Sequence, residues 1–104
     1  MKVEVLHIDE CPNWVQAGTR MREALDAAGL AAVGVDFVLL HSSAEAAKVP
    51  FAGSPTILID GTDAFPDGAR TADLACRVYR TETGFSGLPT TEQIAQALRQ
   101  RTGR

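Results

Sequence analysis

Two cysteines, Cys11 and Cys76, are the residues of this 104-residue chain best suited to chemistry, and they stand 65 positions apart. Cys11 lies in Ile8-Asp9-Glu10-Cys11-Pro12-Asn13-Trp14, where an apolar run gives way to a helical pattern. The start of a helix leaves backbone N–H groups without partners and carries the positive end of the helix dipole. A thiol placed there ionises more readily than the ordinary value of ~8.5, and the thiolate is the reactive form. Pro12 suits the first helical position, because a proline lacks the N–H that would go unpaired there. The chemistry this arrangement implies is nucleophilic attack by sulfur, in particular exchange with a disulfide. Asp9 and Glu10 directly precede Cys11 and oppose its ionisation if they point inward; Arg77 and Arg80 favour it if their segment folds over the site.

The elements that must position Cys11 follow from patterning. Residues 2–8, Lys-Val-Glu-Val-Leu-His-Ile, are rich in β-branched residues and read as a buried strand. His7 is either a site residue or an occupant of one strand face, the second being preferred. From Pro12 to Ala28, Trp14, Gly18, Met21, Leu25 and Ala28 recur at helical spacing, and Gly29 ends the helix. Trp14 has two readings, a shield over the thiol and an anchor of that stripe. Residues 33–40 form a second strand, which makes a βαβ unit with parallel pairing. Ser42 and Glu45 form a capping box that opens a short helix ended by Pro50. Gly53-Ser54-Pro55-Thr56 leads into a third strand, Ile57-Leu58-Ile59. Asp60-Gly61 then signals a tight hairpin before Thr62-Asp63-Ala64-Phe65. Pro55 is either a plain strand-start proline or a cis proline.

Residues 66–87 have no simple period and are read as an insertion, a length of irregular chain that in a compact domain usually has a use. It holds Cys76 and three of the ten basic residues, Arg70, Arg77 and Arg80. Thr71 to Tyr79 is expected to form a short helix with Leu74, Ala75 and Val78 facing inward. Thr90 and Gln93 form a second capping box, opening a last helix with Ile94, Ala97, Leu98 and Arg101 at helical spacing, and the tail from Thr102 is expected to fray.

Composition narrows the function classes. Apolar residues make up 45% and aromatics 6%, which suits a single small α/β domain over residues 1–104 with an aliphatic core. A net charge of −3 argues against a nucleic-acid or membrane-surface role. With no basic leader and no long apolar run, the expected location is the cytoplasm. Two scattered cysteines and two histidines make neither a disulfide scaffold nor a convincing structural metal site. No cofactor is expected.

The order β-α-β-(short α)-β-β-α, with Cys11-Pro12 at the first strand–helix junction and Ser54-Pro55-Thr56 opening the third strand, resembles the thioredoxin-like family in its glutaredoxin-sized form. The resemblance covers most of the chain in topology. It implies a four-stranded mixed sheet flanked by helices and a thiol–disulfide oxidoreductase acting on protein or small-molecule thiols and disulfides. It further implies that Cys11 is the nucleophile and that the proline loop lies opposite it, with Pro12, Trp14, Ser54, Pro55, Thr56 and Arg77 contacting a bound partner. The family's second cysteine, three positions after the first, is replaced here by Trp14, so a resolving thiol must come from Cys76 or from outside. Within this topology the first strand ends, the third begins and the fourth returns at one edge, which brings 66–87 beside Cys11. Cys76 then either bonds Cys11, which needs Cα atoms roughly 4.4–6.8 Å apart, or packs as a small apolar residue beneath the insertion.

Two other readings stay open. The chain is also similar to small bacterial proteins grouped with organomercurial (alkylmercury) lyases, which would make Cys11 and Cys76 ligands for a soft metal such as mercury. That pattern places an acid where Trp14 stands, and Asp9 could replace it only with different geometry. The third reading is a thioredoxin-like binding module whose cysteines do not turn over.

Overall fold

A computed structural model describes residues 1–66 and 68–102. In chain order the elements are β1 (Val3–His7), α1 (Asn13–Ala27), β2 (Val35–Leu39), α2 (Ser43–Ala47), β3 (Thr56–Ile59), β4 (Thr62–Asp63), β5 (Tyr79–Thr81), β6 (Gly84–Ser86) and α3 (Thr91–Thr102). The first four strands form one mixed sheet in the order β2-β1-β3-β4. β1 pairs with β2 in parallel, with Val3 opposite Val35, and with β3 antiparallel, with Val3 opposite Ile59. The protein is thus α/β, with a four-stranded mixed sheet flanked by helices.

Alternation along the strands divides the core between two faces. Val3, Ile57 and Ile59 join Met21, Leu25, Ile94 and Leu98, so α1 and α3 close one face and pack on each other. Leu6, Ile8 and Leu58 point the other way and join Leu40, Ala46, Phe51 and Cys11. Among the described residues, the short α2 and the loops around it cover that second face, with Leu74 packed on the cluster's margin.

Local signals act where expected. Gly29, at φ 76°, ends α1; its N–H donates to Asp26 and the Leu30 N–H to Leu25. These are the two bonds of a Schellman cap. Asp60 and Gly61 both have positive φ, 52° and 80°, as a two-residue hairpin turn of the primed type requires. The Glu45 N–H donates to Ser42 Oγ, while the Glu45 carboxylate accepts from the His41 N–H. Thr90 and Gln93 cap α3 reciprocally, at 2.8 and 3.1 Å. α1 begins one residue later than expected, with Pro12 at the cap position itself.

Residues 68–87 depart from expectation. No helix forms over 71–79; that stretch is irregular until β5. Ala75 and Val78 are exposed, and only Leu74 of the expected inward trio touches the core. Helical backbone there is displaced by an isolated parallel bridge between Ser54 and Cys76. The insertion also holds a hairpin, β5–β6, which the sequence reading had not separated. At the chain's end Thr102 is helical, and the rest of the tail expected to fray lies outside the described residues.

Candidate functional site

β1 ends at His7, and the chain reaches α1 through Ile8 to Pro12, which puts Cys11 one residue before the helix cap. The side chain turns into the second face, among Leu6, Ile8, Phe51 and Leu58, and Cys11 is 0% exposed. Asp9 and Glu10 are exposed, so neither carboxylate enters the site.

Cys11 and Cys76 are joined by a disulfide, with their Cα atoms 5.9 Å apart. This is the bonded alternative of the sequence reading. Cys76 is exposed and does not pack beneath the insertion.

The segment that carries Cys76 is fixed from both sides. The Ser54 N–H donates to the Ala75 carbonyl at 2.8 Å, and the Arg77 N–H donates to the Ser54 carbonyl at 2.9 Å. Arg77 is itself buried. It donates to Asp63 at 2.9 Å and to the Phe65 carbonyl at 2.6 Å, and its guanidinium lies 4.4 Å from the centre of the Tyr79 ring. The Tyr79 hydroxyl donates to the Pro55 carbonyl, and burial pushes that phenol well above its ordinary value. Gly53, at φ +106°, makes the close approach possible, because a Cβ there would stand 2.8 Å from Arg77 Cβ.

The proline loop lies against the same point. Ser54, Pro55 and Thr56 are fully buried, and the Ser54–Pro55 bond is cis. Ser54 Oγ accepts from the Ile8 N–H at 3.1 Å, which ties the loop to the chain just before Cys11. Thr56 Oγ1 donates to the Gly53 carbonyl and accepts from the Ala52 N–H. Both hydroxyls therefore build the loop.

Cys11, Cys76, Ser54 and the Arg77 backbone thus meet at one place, while the Trp14 and Arg77 side chains are engaged elsewhere. Pro12 is exposed. Trp14 stacks on His7, with ring centres 4.3 Å apart, meets Phe37 edge-on at 5.4 Å, and packs on the Val5–Ala17–Leu88 cluster. It anchors the helical stripe. His7 Nδ1 is buried without a hydrogen-bond partner, and desolvation lowers the pKa of the ring below its ordinary 6.5. The Arg77 side chain spends its charge on Asp63. Asp63 and Tyr79, which hold the segment in place, were missed in the sequence, where nothing links Asp63 to a partner 14 residues away.

Among the described residues no cluster of three or more His, Cys, Asp or Glu side chains could hold a metal ion, and no helix is long and apolar enough to cross a membrane. No protein-family model, curated protein or solved structure matches the chain.

Proposed function

We propose that this protein is a thioredoxin-like thiol–disulfide oxidoreductase whose redox centre is the Cys11–Cys76 pair. The observation that carries the reading is the meeting of the two sulfurs at the start of α1, one cysteine exposed and the other buried, beside the Ser54-Pro55 loop. A disulfide that merely braces the fold has no need of an exposed member, whereas exchange requires a sulfur that an outside thiolate can reach. In the reduced protein one cysteine thiolate attacks a substrate disulfide, breaks its S–S bond to release one thiolate and forms a mixed disulfide. The other then displaces the substrate's second product as a thiolate and restores the Cys11–Cys76 bond. The partners are protein or small-molecule thiols and disulfides, and the chain's own sulfurs carry the electrons.

The test is turnover. With dithiothreitol as electron donor, the protein is expected to speed reduction of a small aromatic disulfide above the rate with dithiothreitol alone. The Cys11→Ser and Cys76→Ser variants are expected to lose most of that gain. A wild-type rate equal to the background leaves a thioredoxin-like binding module without turnover as the better reading.

The same convergence favours a second reading, soft-metal binding. Once reduced, the pair offers two thiolates, the ligand type that soft metals prefer. Titration of reduced protein with mercuric ion against a competing thiol separates the two, since a metal site holds one ion per pair and an exchange centre need not. Organomercurial cleavage is less well supported, because Trp14 occupies the acid's position against His7 and Asp9 is turned to solvent.

A further inference from the structure

We infer that Cys76, rather than Cys11, is the sulfur through which the pair exchanges with solution, and that Cys11 is the leaving and resolving sulfur. The inference rests on the oxidoreductase reading and reverses the order of events that the position of Cys11 suggests.

Direction of approach decides it. A thiolate displaces sulfur from sulfur along the line of the bond it breaks, from the side opposite the leaving atom. Cys11 belongs to the apolar cluster of Leu6, Ile8, Phe51 and Leu58 and has no accessible surface, so no approach to it is open from solvent. Any part of the disulfide that solvent reaches therefore belongs to Cys76, which is exposed. An incoming thiolate forms a bond to Cys76 Sγ, the Cys11–Cys76 bond breaks, and the electron pair leaves on Cys11 Sγ. In the opposite direction Cys76 thiolate attacks a substrate disulfide and releases one thiolate. Cys11 thiolate then attacks Cys76 Sγ and releases the other.

The segment's anchors keep this cycle intramolecular. The two backbone bonds to Ser54 and the Arg77–Asp63 pair do not involve sulfur, so Cys76 stays close to Cys11 when their bond is open. Exchange at Cys76 thus needs no opening of the core.

The experiment traps the mixed disulfide. Oxidised wild-type protein is mixed briefly with excess reduced glutathione, quenched with N-ethylmaleimide and mapped by peptide mass spectrometry. The expected product carries glutathione on Cys76 and maleimide on Cys11, in about tenfold or greater excess over the reverse. Glutathione on Cys11 with maleimide on Cys76 overturns the inference and leaves the oxidoreductase reading standing. A disulfide that survives excess dithiothreitol in the folded protein overturns both. A second arm uses oxidised glutathione on reduced single-cysteine variants whose folding is checked by circular dichroism. Cys76 in Cys11→Ser is expected to react about tenfold or more faster than Cys11 in Cys76→Ser, and equal rates overturn the inference.

Discussion

On one face of the sheet, two helices of 15 and 12 residues lie over a cluster of Val3, Met21, Leu25, Ile57, Ile94 and Leu98. On the other, a five-residue helix and irregular chain lie over Leu6, Ile8, Leu58 and Phe51. The first face is closed by interdigitated apolar side chains, and losses there fall on the whole molecule. The second is closed by point attachments: a disulfide, a buried ion pair, a tyrosine hydroxyl on a carbonyl, and two backbone bonds to Ser54. Attachments of that kind can be released one at a time. A disulfide set among them can open without disturbing the helical side, and the proposed exchange would draw on that thinner cover.

That contrast can be broken at several points. Arg77→Ala strands Asp63 and removes the donor from the Phe65 carbonyl. It is expected to cost roughly 4–5 kcal/mol by urea unfolding, the upper part of the range for breaking a buried ion pair. A loss under about 1 kcal/mol would mean that the pair behaves as a surface one and the second face has some other clasp. Reduction of the disulfide, which closes a loop with a sequence separation of 65, is expected to cost about 4 kcal/mol on chain-entropy grounds. Hydrogen exchange should then rise first at the Ser54, Thr71 and Arg77 amides, which bond to Ala75, Phe51 and Ser54. Equal loss of protection in α1 and α3 would erase the distinction between the faces. Leu98→Ala, on the helical side, is expected to cost about 3 kcal/mol and to lower protection everywhere.

The smallest expected effect concerns pH. Burial lowers the His7 pKa in the folded protein below its unfolded value of 6.5. Between the two values the unfolded chain binds the extra proton, so the contribution of His7 is fully present above pH 6.5 and is lost as pH falls. Urea midpoints measured from pH 7 to pH 5 should fall less steeply in His7→Phe, which keeps a ring against Trp14. An unchanged slope would place the acid sensitivity elsewhere.

Legibility in the sequence follows the same division. β1 and α1, the Gly29 cap, the Asp60-Gly61 turn and the Thr90–Gln93 box are local features, each fixed by residues within a few positions of one another. Residues 68–87 are organised by partners far away. Ser54 holds Ala75 and Arg77, Asp63 holds Arg77, and Pro55 holds Tyr79. Leu74, Ala75 and Val78 have the spacing of a helix, yet these long-range bonds keep the chain extended and leave Val78 64% exposed. The two cysteines were legible as candidates by type, and topology brought their segments together while leaving a bond and apolar packing of Cys76 as alternatives. Which of them faces solvent was not legible, because a helix start marks where a thiolate is favoured and says nothing of what lies on top of it.

The bond between Cys11 and Cys76 has a mechanical consequence. Tension applied to the two ends of the oxidised chain cannot lengthen the stretch between the cysteines, a sequence separation of 65. At about 3.4 Å per extended residue, roughly 220 Å of contour is withheld until that bond opens. Reductant therefore sets the distance over which a pulled molecule can yield, making the bond a length limiter.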